Sequence, residues 1–266
     1  AWLVAGIVLS AFVYLVLHFY LQTQKPMRIE AICATCIDAH RHHSSGEEVH
    51  LAIAGAAYRF AASLEGEPFI ALRAPFPFVS LKRACMKASF WLTWKECIAM
   101  RECALRESIH HHVELIKERP TDLEVHASLA NTYVAIARLY LPPSSPELSW
   151  TKRLYESPLC KERFMAATHK ALQEFAIIDT YAPDDPWVHA QLALCYHDLE
   201  MYDEEIAAYE TILALCPDDK EVMYRLGILY FKEGKTAKGL RMYDALLRLG
   251  YSRVEHLLTH YIGKRL

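Results

Sequence analysis

The sequence has little glycine and lacks glycine-rich phosphate loops. Nine glycines occur among 266 residues, and none forms the GxGxxG or GxxxxGK[ST] pattern that brings backbone N–H groups against a phosphate. A nucleotide-dependent enzyme is therefore disfavoured. The nearest approach, Gly234-Lys235-Thr236, has Leu229 where the first glycine is required, and it predicts a turn between two helices.

Neither sign of charge is in excess. The chain has 29 Lys and Arg against 32 Asp and Glu, and 53% of its residues are hydrophobic, which argues against disorder and against a basic nucleic-acid binder. The HExxH and GxSxG patterns are also absent. We therefore expect no enzyme activity, no cofactor, no small-molecule substrate and no nucleic-acid partner.

The N-terminal segment is uncharged and apolar. Residues 1–24 contain no Asp, Glu, Lys or Arg, and residues 1–21 are apolar except for Ser10 and His18. That is about the length that spans a hydrocarbon core of ~30 Å, so residues 1–21 are predicted to form a transmembrane helix. A cleaved signal peptide, which would need a shorter apolar stretch and a small-x-small site, and a helix buried in a globular core are the alternatives.

The orientation of this span is indicated by two weak signals. Lys25, Arg28 and Arg41 follow it closely, which favours a cytoplasmic body. The eight cysteines are dispersed through helical patterns, as is typical of reduced thiols used as small hydrophobes. The prediction is a single-pass membrane protein with its remaining part in the cytoplasm.

The C-terminal half contains an internal repeat with an offset of 34 residues. Its two copies start at Pro186 and Lys220. The matched pairs are Leu192 with Leu226, Ala193 with Gly227, Tyr196 with Tyr230, Glu200 with Gly234, Tyr209 with Tyr243, and Ile212 with Leu246.

A further copy lies upstream, where residues 120–133 match residues 183–196 at an offset of 63. The longer offset is explained by residues 141–158, which contain four prolines and are predicted to form a loop between the two helices of this copy. Its second helix is predicted from about Cys160 to Tyr181.

This pattern resembles the tetratricopeptide repeat (TPR) family over about residues 123–250. The resemblance implies an all-α fold in which an α-α solenoid follows the N-terminal transmembrane helix. Three places depart from the family pattern, since His189 and Met223 stand in the tryptophan place and Glu205 stands in a small place. Ser252 is predicted to start a C-terminal capping helix with Val254, Leu257, Leu258 and Ile262 on one face.

Three domains are expected: the transmembrane helix over residues 1–21, a helical connector over 22–118, and TPR-like repeats with a capping helix over 119–266. Whether the connector consists of degenerate repeats is left open. In it, residues 47–65 place Leu51, Ala54, Tyr58 and either Ala61 or Ala62 on one side of a helix. Residues 81–118, which lack Gly and Pro, predict one long helix or two joined ones.

The resemblance also implies that the first helices of the repeats line a concave groove that binds a peptide or a helix of a partner protein. Its predicted contact residues are Asn131, Trp187, Gln191, Leu194, His197, Tyr224, Arg225, Ile228 and Lys232. The other groove places hold Ala127, Val134, Asp198, Glu221 and Phe231. Some relatives clamp a carboxylate terminus with two lysines, but Ala127 and Glu221 replace both here, which disfavours an acidic tail.

Two histidine-containing clusters are candidates for metal sites. Cys33, Cys36, His40, His42 and His43 offer soft ligands for zinc, although a second CxxC is absent and an ordinary juxtamembrane segment or a redox pair are alternatives. In His110-His111-His112, consecutive residues point to different sides of a helix, which predicts a solvated face and no shared ion.

The predicted function is a membrane-tethered scaffold that binds a partner protein and assists the assembly or local chaperoning of a membrane complex. A metal- or thiol-dependent membrane protein that uses the Cys33/Cys36/His cluster is the alternative from a different class. A structural subunit with a blocked groove is the third hypothesis.

Overall fold

The structure of the chain, a computed structural model, describes residues 47–65, 79–142 and 146–262, together with five single positions nearer the N-terminus. These residues form helices and turns, and no strand occurs among them. The chain divides into two compact units, Ala1–Thr121 and Asp122–Leu266.

None of the helices described by the structure combines the length and the apolarity that crossing a membrane requires. The predicted span, residues 1–21, lies outside the described residues except for positions 12, 13 and 16. The transmembrane helix thus stays a prediction from the sequence.

The first unit contains two antiparallel helices, α1 (Glu47–Ser63) and α2 (Val79–Glu118). The second is one continuous helix of 40 residues, which resolves the choice between one long helix and two joined ones. Its Ser108 hydroxyl donates to the backbone oxygen of Ala54 at 3.0 Å, because the small side chain of Ala54 lets the helices approach closely.

The buried face of α1 agrees with the predicted one only in part. Ala54 and Ala61 are buried as expected, together with Ile53, whereas Leu51 and Tyr58 are exposed. The close approach to α2 favours the alanines over the two larger side chains. The expected face was therefore wrong for Leu51 and Tyr58.

The solvated face predicted for the three histidines of α2 is also wrong for two of them. His110 is exposed, but His111 and His112 are buried. The Nδ1 atoms of His50 and His111 lie 2.8 Å apart, and Nε2 of His111 lies 3.3 Å from a carboxylate oxygen of Glu107. His111 is thus buried next to His50 and Glu107. Burial lowers the pKa of His112.

The second unit consists of successive helix pairs. Its elements are α3 (Leu123–Arg138), a 3₁₀ helix (Pro146–Thr151), the single turn α4 (Lys152–Tyr155), α5 (Pro158–Tyr181), α6 (Pro186–Asp198), α7 (Tyr202–Leu215), α8 (Lys220–Lys232), α9 (Thr236–Arg248) and α10 (Val254–Ile262). The three pairs are α3 with α5, α6 with α7, and α8 with α9. The repeats and the proline-rich connection in the first copy are thereby confirmed, and that connection contains the two short helical pieces.

Each first helix starts at an aspartate. Asp122, Asp185 and Asp219 occupy the N-cap positions of α3, α6 and α8, and their carboxylates accept hydrogen bonds from backbone N–H groups of the first turn at 2.9–3.4 Å. Such a cap satisfies donors that have no partner within the helix. The three caps follow the same offsets as the repeats, so the chain restarts a helix at equivalent points.

The core of this unit is a row of three apolar clusters that share helices. The first joins α3, α5 and α6 around Phe175, the second joins α6, α7 and α8 around Leu226, and the third joins α8, α9 and α10 around Leu246. Tyr196 packs against both the first and the second cluster. This arrangement is that of a TPR-like solenoid, in which each pair is stabilised by its neighbours.

Buried histidines occupy the tryptophan place in two copies. His126 on α3 lies 2.7 Å from the Glu174 carboxylate, and the Nε2 atom of His189 on α6 donates to the backbone oxygen of Pro183 at 2.6 Å. Both rings are polar at their tips and need such partners when buried. The two histidines that stand in the tryptophan place therefore still pack in the core.

The C-terminal helix α10 closes the stack. Leu257 is buried against α8, where Gly227 leaves the space that its side chain fills: a Cβ atom on Gly227 would lie 2.9 Å from the nearest Leu257 methyl carbon. Val254 is buried as predicted, but the helix begins at Val254, after the expected start at Ser252. Position 227 is thus small because the capping helix approaches it.

Equivalent turns follow α6 and α8, and each contains a residue with positive φ. These are Glu200, with φ of 60°, and Gly234, with φ of 74°. Only glycine adopts this region without a steric cost, so Glu200 is strained at a place where the next copy uses glycine.

We predict that Glu200→Gly raises the free energy of unfolding by about 0.5–1 kcal/mol, because the relief of strain exceeds the added entropy of the unfolded chain. Gly234→Ala is the matched variant and should lower it by about 1 kcal/mol. Urea denaturation followed by circular dichroism measures both. A change of the same sign in the two variants would contradict the equivalence of the turns.

Candidate protein-binding groove

The predicted groove surface comprises the first helices α3, α6 and α8, and the most exposed apolar side chains among its predicted contact residues lie on α6. Trp187 is 42% exposed and Leu194 is 41% exposed. Their spacing of seven residues places them two turns apart on one side of the helix, with Gln191 half-buried between them. Large apolar side chains left open in this way are available to a partner.

The orientation of Trp187 is fixed by the core beneath it. Its ring packs edge-on against Phe175 of α5 with a centroid distance of 5.9 Å and an interplanar angle of 78°. Phe175 is fully buried, so the indole rests on a rigid support while its other side faces solvent. Little side-chain entropy is lost when a partner covers such a ring.

A buried carboxylate of α7 contacts His197, which lies one turn beyond Leu194 on α6. Glu205 of α7 is 4% exposed, and its Oε2 atom lies 3.2 Å from Nδ1 of His197 on α6. Arg225 and Lys232 of α8 also act on it electrostatically. Three of the predicted groove residues are therefore brought together around a carboxylate that the prediction did not include.

Burial dominates the electrostatics of Glu205. Loss of water raises the pKa of its carboxyl, and His197, Lys232 and Arg225 oppose this change without cancelling it. We call Glu205, His197, Arg225 and Lys232 the Glu205 cluster.

The third copy is partly covered by the turn before α10. The ring of Tyr224 lies 5.5 Å from the ring of Tyr251, with the Arg253 guanidinium over both. Glu221 accepts hydrogen bonds from Tyr251, at 2.8 Å, and from Arg253. Tyr224 therefore has a partner within the chain and contributes less open surface than Trp187.

The remaining predicted residues differ in their exposure. Asn131 and Ile228 are half-buried, and Lys232 is exposed. Arg225 is also exposed, but its Nη1 atom donates to the Tyr209 hydroxyl at 3.4 Å and its Nε atom donates to Glu221 at 3.5 Å. Arg225 is already oriented toward two side chains of its own chain.

Phe231 does not belong to the groove surface, contrary to the expectation. It is buried, and its ring occupies the space above Gly239, where a Cβ atom would lie 2.6 Å from a ring carbon. The absence of a side chain at position 239 draws the ring into the core. The expectation for Phe231 was wrong for this reason.

Metal and thiol chemistry gains no support from the part of the chain that the structure describes. No group of three metal-ligating side chains occurs there. Cys33, Cys36, His40, His42 and His43 lie outside the described residues. Burial raises the pKa of the Cys195 thiol to about 12, so this thiol stays protonated and unreactive at neutral pH.

Glu205 is the groove residue that sequence reasoning missed. The residue stood out as a carboxylate in a place that the family fills with a small side chain, but its partners come from two other helices, α6 and α8. The offset of eight residues from His197 gives no contact signal by itself. The available signal was the position of three side chains on the predicted groove side, His197, Arg225 and Lys232. Grouping them there would have identified Glu205 as the carboxylate that they share.

Comparison of the sequence with protein-family models and with curated proteins gave no match. Among solved structures, the chain is similar to TTC0263, a thermophilic TPR protein of Thermus thermophilus, with 18% identity and a TM-score of 0.38 over 79% of this chain and 97% of that chain. It is also similar to MamA, with 14% identity and a TM-score of 0.32 over 58% and 93% of the two chains. A MamA RS-1 ArsTM double mutant gives 15% identity and a TM-score of 0.32 over 62% and 94%. The description of Asp122–Leu266 as TPR-like rests on its own repeat and packing.

The raised pKa of Glu205 predicts a pH-dependent effect of Glu205→Gln. The protonated carboxyl favours the folded state, and this contribution is lost as the pH rises through the folded-state pKa. The neutral glutamine should therefore raise the free energy of unfolding at pH 7, and its advantage should disappear below the ordinary carboxyl pKa of 4.5. Denaturant titrations at several pH values measure the difference.

Glu204→Gln is the control for this experiment, because Glu204 is exposed on the same helix. It should change stability little at any pH. If Glu205→Gln destabilised the protein more at neutral pH than in acid, the carboxylate would be a net stabilising group and the interpretation would be wrong.

Proposed function

We propose that the repeat unit is a scaffold that binds a segment of a partner protein along the surface of α3, α6 and α8. One observation carries this proposal: Trp187 and Leu194 are both exposed on one side of α6, two turns apart, and His197 one turn beyond Leu194 contacts Glu205. Large apolar side chains exposed on one side of a helix are a feature of interaction sites.

The chemistry of this surface favours a partner segment with apolar anchors and polar flanks. The indole and the leucine side chain offer area for an apolar residue, while Arg225, Lys232 and His197 offer donors beside it. An extended peptide or an amphipathic helix meets both demands. A rigid aromatic side chain such as Trp187 is the type of residue that dominates the free energy of binding in such interfaces.

Site-specific photocrosslinking tests the proposal. A benzoylphenylalanine residue is placed either at position 194 or at position 247, where Leu247 is 55% exposed on α9, outside the groove. We expect a partner to crosslink through position 194 and not through position 247. The adduct should be lost when Trp187→Ala is added, since removal of a central tryptophan costs about 2 kcal/mol or more of binding free energy.

Equal crosslinking through both positions would indicate non-specific contact. Persistence of the position-194 adduct in the Trp187→Ala variant would contradict binding at the α6 surface. Circular dichroism of each variant provides the control for folding, and it is expected to be unchanged because Trp187 and Leu247 are both substantially exposed.

We further propose that residues 1–21 tether this scaffold to a membrane, with the repeats on the cytoplasmic side, where it assists assembly or local chaperoning of a membrane complex. The uncharged sequence supports the tether, and Phe12, Val13 and Val16 are exposed helical positions. A tether raises the local concentration of the groove, so that a weak interaction suffices.

Alkaline carbonate extraction tests the tether. The chain should stay with the membrane pellet, and a variant with Asp in place of Leu3, Val8 and Val13 should move to the supernatant, because each charge at the centre of a span costs about 3 kcal/mol of insertion free energy. Release of the unaltered chain by carbonate would contradict a spanning segment.

A further inference from the structure

The first half of α2 has an exposed face with a single sign of charge. Arg83, Lys87, Trp91 and Lys95 follow one another at intervals of four residues, and all four are exposed. Trp91 is 72% exposed, whereas Ser89 and Phe90 on the other side are buried. We call the four residues the basic tryptophan stripe.

The sequence around the stripe contains no acidic residue. Residues 68–95 include no Asp or Glu, but they include Arg73 and Lys82 in addition to the three basic residues of the stripe. The next acidic residue is Glu96. Positive charge is therefore concentrated along about 18 Å of one helix, at 1.5 Å per residue.

We propose that the basic tryptophan stripe docks on an anionic lipid surface. Lysine and arginine side chains attract the headgroups of acidic lipids, and tryptophan prefers the depth of the headgroup layer, where its ring is in an apolar setting and its N–H reaches water. Lipid headgroups need no pocket on the protein, so a helix face with spaced cations and one large ring suffices for docking.

This docking is independent of the tether proposed for residues 1–21. The tether requires apolar insertion and no lipid charge, while the stripe requires acidic lipid and responds to salt. Failure of the tether and failure of docking by the stripe therefore give different results in the same vesicle experiment. Together they would hold the first unit close to the bilayer through two contacts.

Quenching of tryptophan fluorescence by brominated lipid tests the stripe. The full chain is mixed with vesicles of brominated phosphatidylcholine, either alone or with about 30% phosphatidylserine. The difference between the unaltered chain and Trp91→Phe isolates Trp91 from the other tryptophans. We expect this difference signal to be quenched at least about twofold more in the acidic vesicles, and to recover in roughly 0.5 M NaCl.

Charge reversal provides the matched comparison. The variant Arg83→Glu/Lys87→Glu/Lys95→Glu should lose the quenching, and Lys161→Glu/Arg241→Glu/Arg248→Glu, which changes net charge equally at exposed positions of the second unit, should retain it. Carbonate-resistant retention in neutral vesicles reports on the tether alone.

The proposal is overturned if the Trp91 signal is unquenched in acidic vesicles, if neutral vesicles quench it equally, or if the control triple variant abolishes it. Binding of an acidic protein at the stripe in the absence of quenching would also overturn it. The triple charge-reversal variant of the stripe could lose helicity, which circular dichroism detects. In that case the test rests on the fluorescence difference between the unaltered chain and Trp91→Phe, because that substitution introduces no charge.

Discussion

A pair of amphipathic helices has more apolar surface than its two members can bury against each other. In the second unit this constraint is met by sharing: α6 contributes to two clusters and α8 contributes to two, so that each pair completes the core of its neighbour. Burial of such side chains stabilises the fold by about 25 cal/mol per Å² of apolar surface removed from water. On α6 the same arrangement leaves Trp187 and Leu194 exposed, whereas Tyr224 and Ile228 of α8 pack against the third cluster.

The C-terminal end of the stack shows how the remaining apolar surface is buried where no further helix pair follows among the described residues. Helix α10 inserts Leu257 against Gly227, and the turn before it places Tyr251 and Arg253 over Tyr224 and Glu221. The cap therefore closes the core and covers part of the third copy. The open surface is consequently displaced toward α6, where Trp187 and Leu194 remain exposed.

The regular features were predictable from the sequence because they repeat. The 34-residue offset, the small places and the tyrosines recur, and recurrence distinguishes a packing requirement from chance. The prolines of residues 141–158 likewise identified a connection between helices that a strict offset would have missed. These are local signals, and they predicted the helix pairs and the helical character of residues 81–118, while the structure decides between one long helix and two joined ones.

The features that failed depend on neighbours that a helical pattern does not contain. Glu205 gains its partners from α6 and α8, Phe231 is drawn inward by Gly239, and His111 is paired by His50 of another helix. In each case the spacing along one helix is compatible with either an exposed or a buried side chain. Only the approach of a second helix decides which of the two occurs.

The central claim is that the stacked pairs leave the α6 surface open in the free protein. Hydroxyl-radical footprinting measures this directly through two leucines of one helix, Leu192, which is 5% exposed, and Leu194, which is 41% exposed. The account predicts that Leu194 and Trp187 are modified rapidly while Leu192 is protected. Equal protection of Leu192 and Leu194 in the free chain would contradict it, because the groove would then be filled by the protein itself.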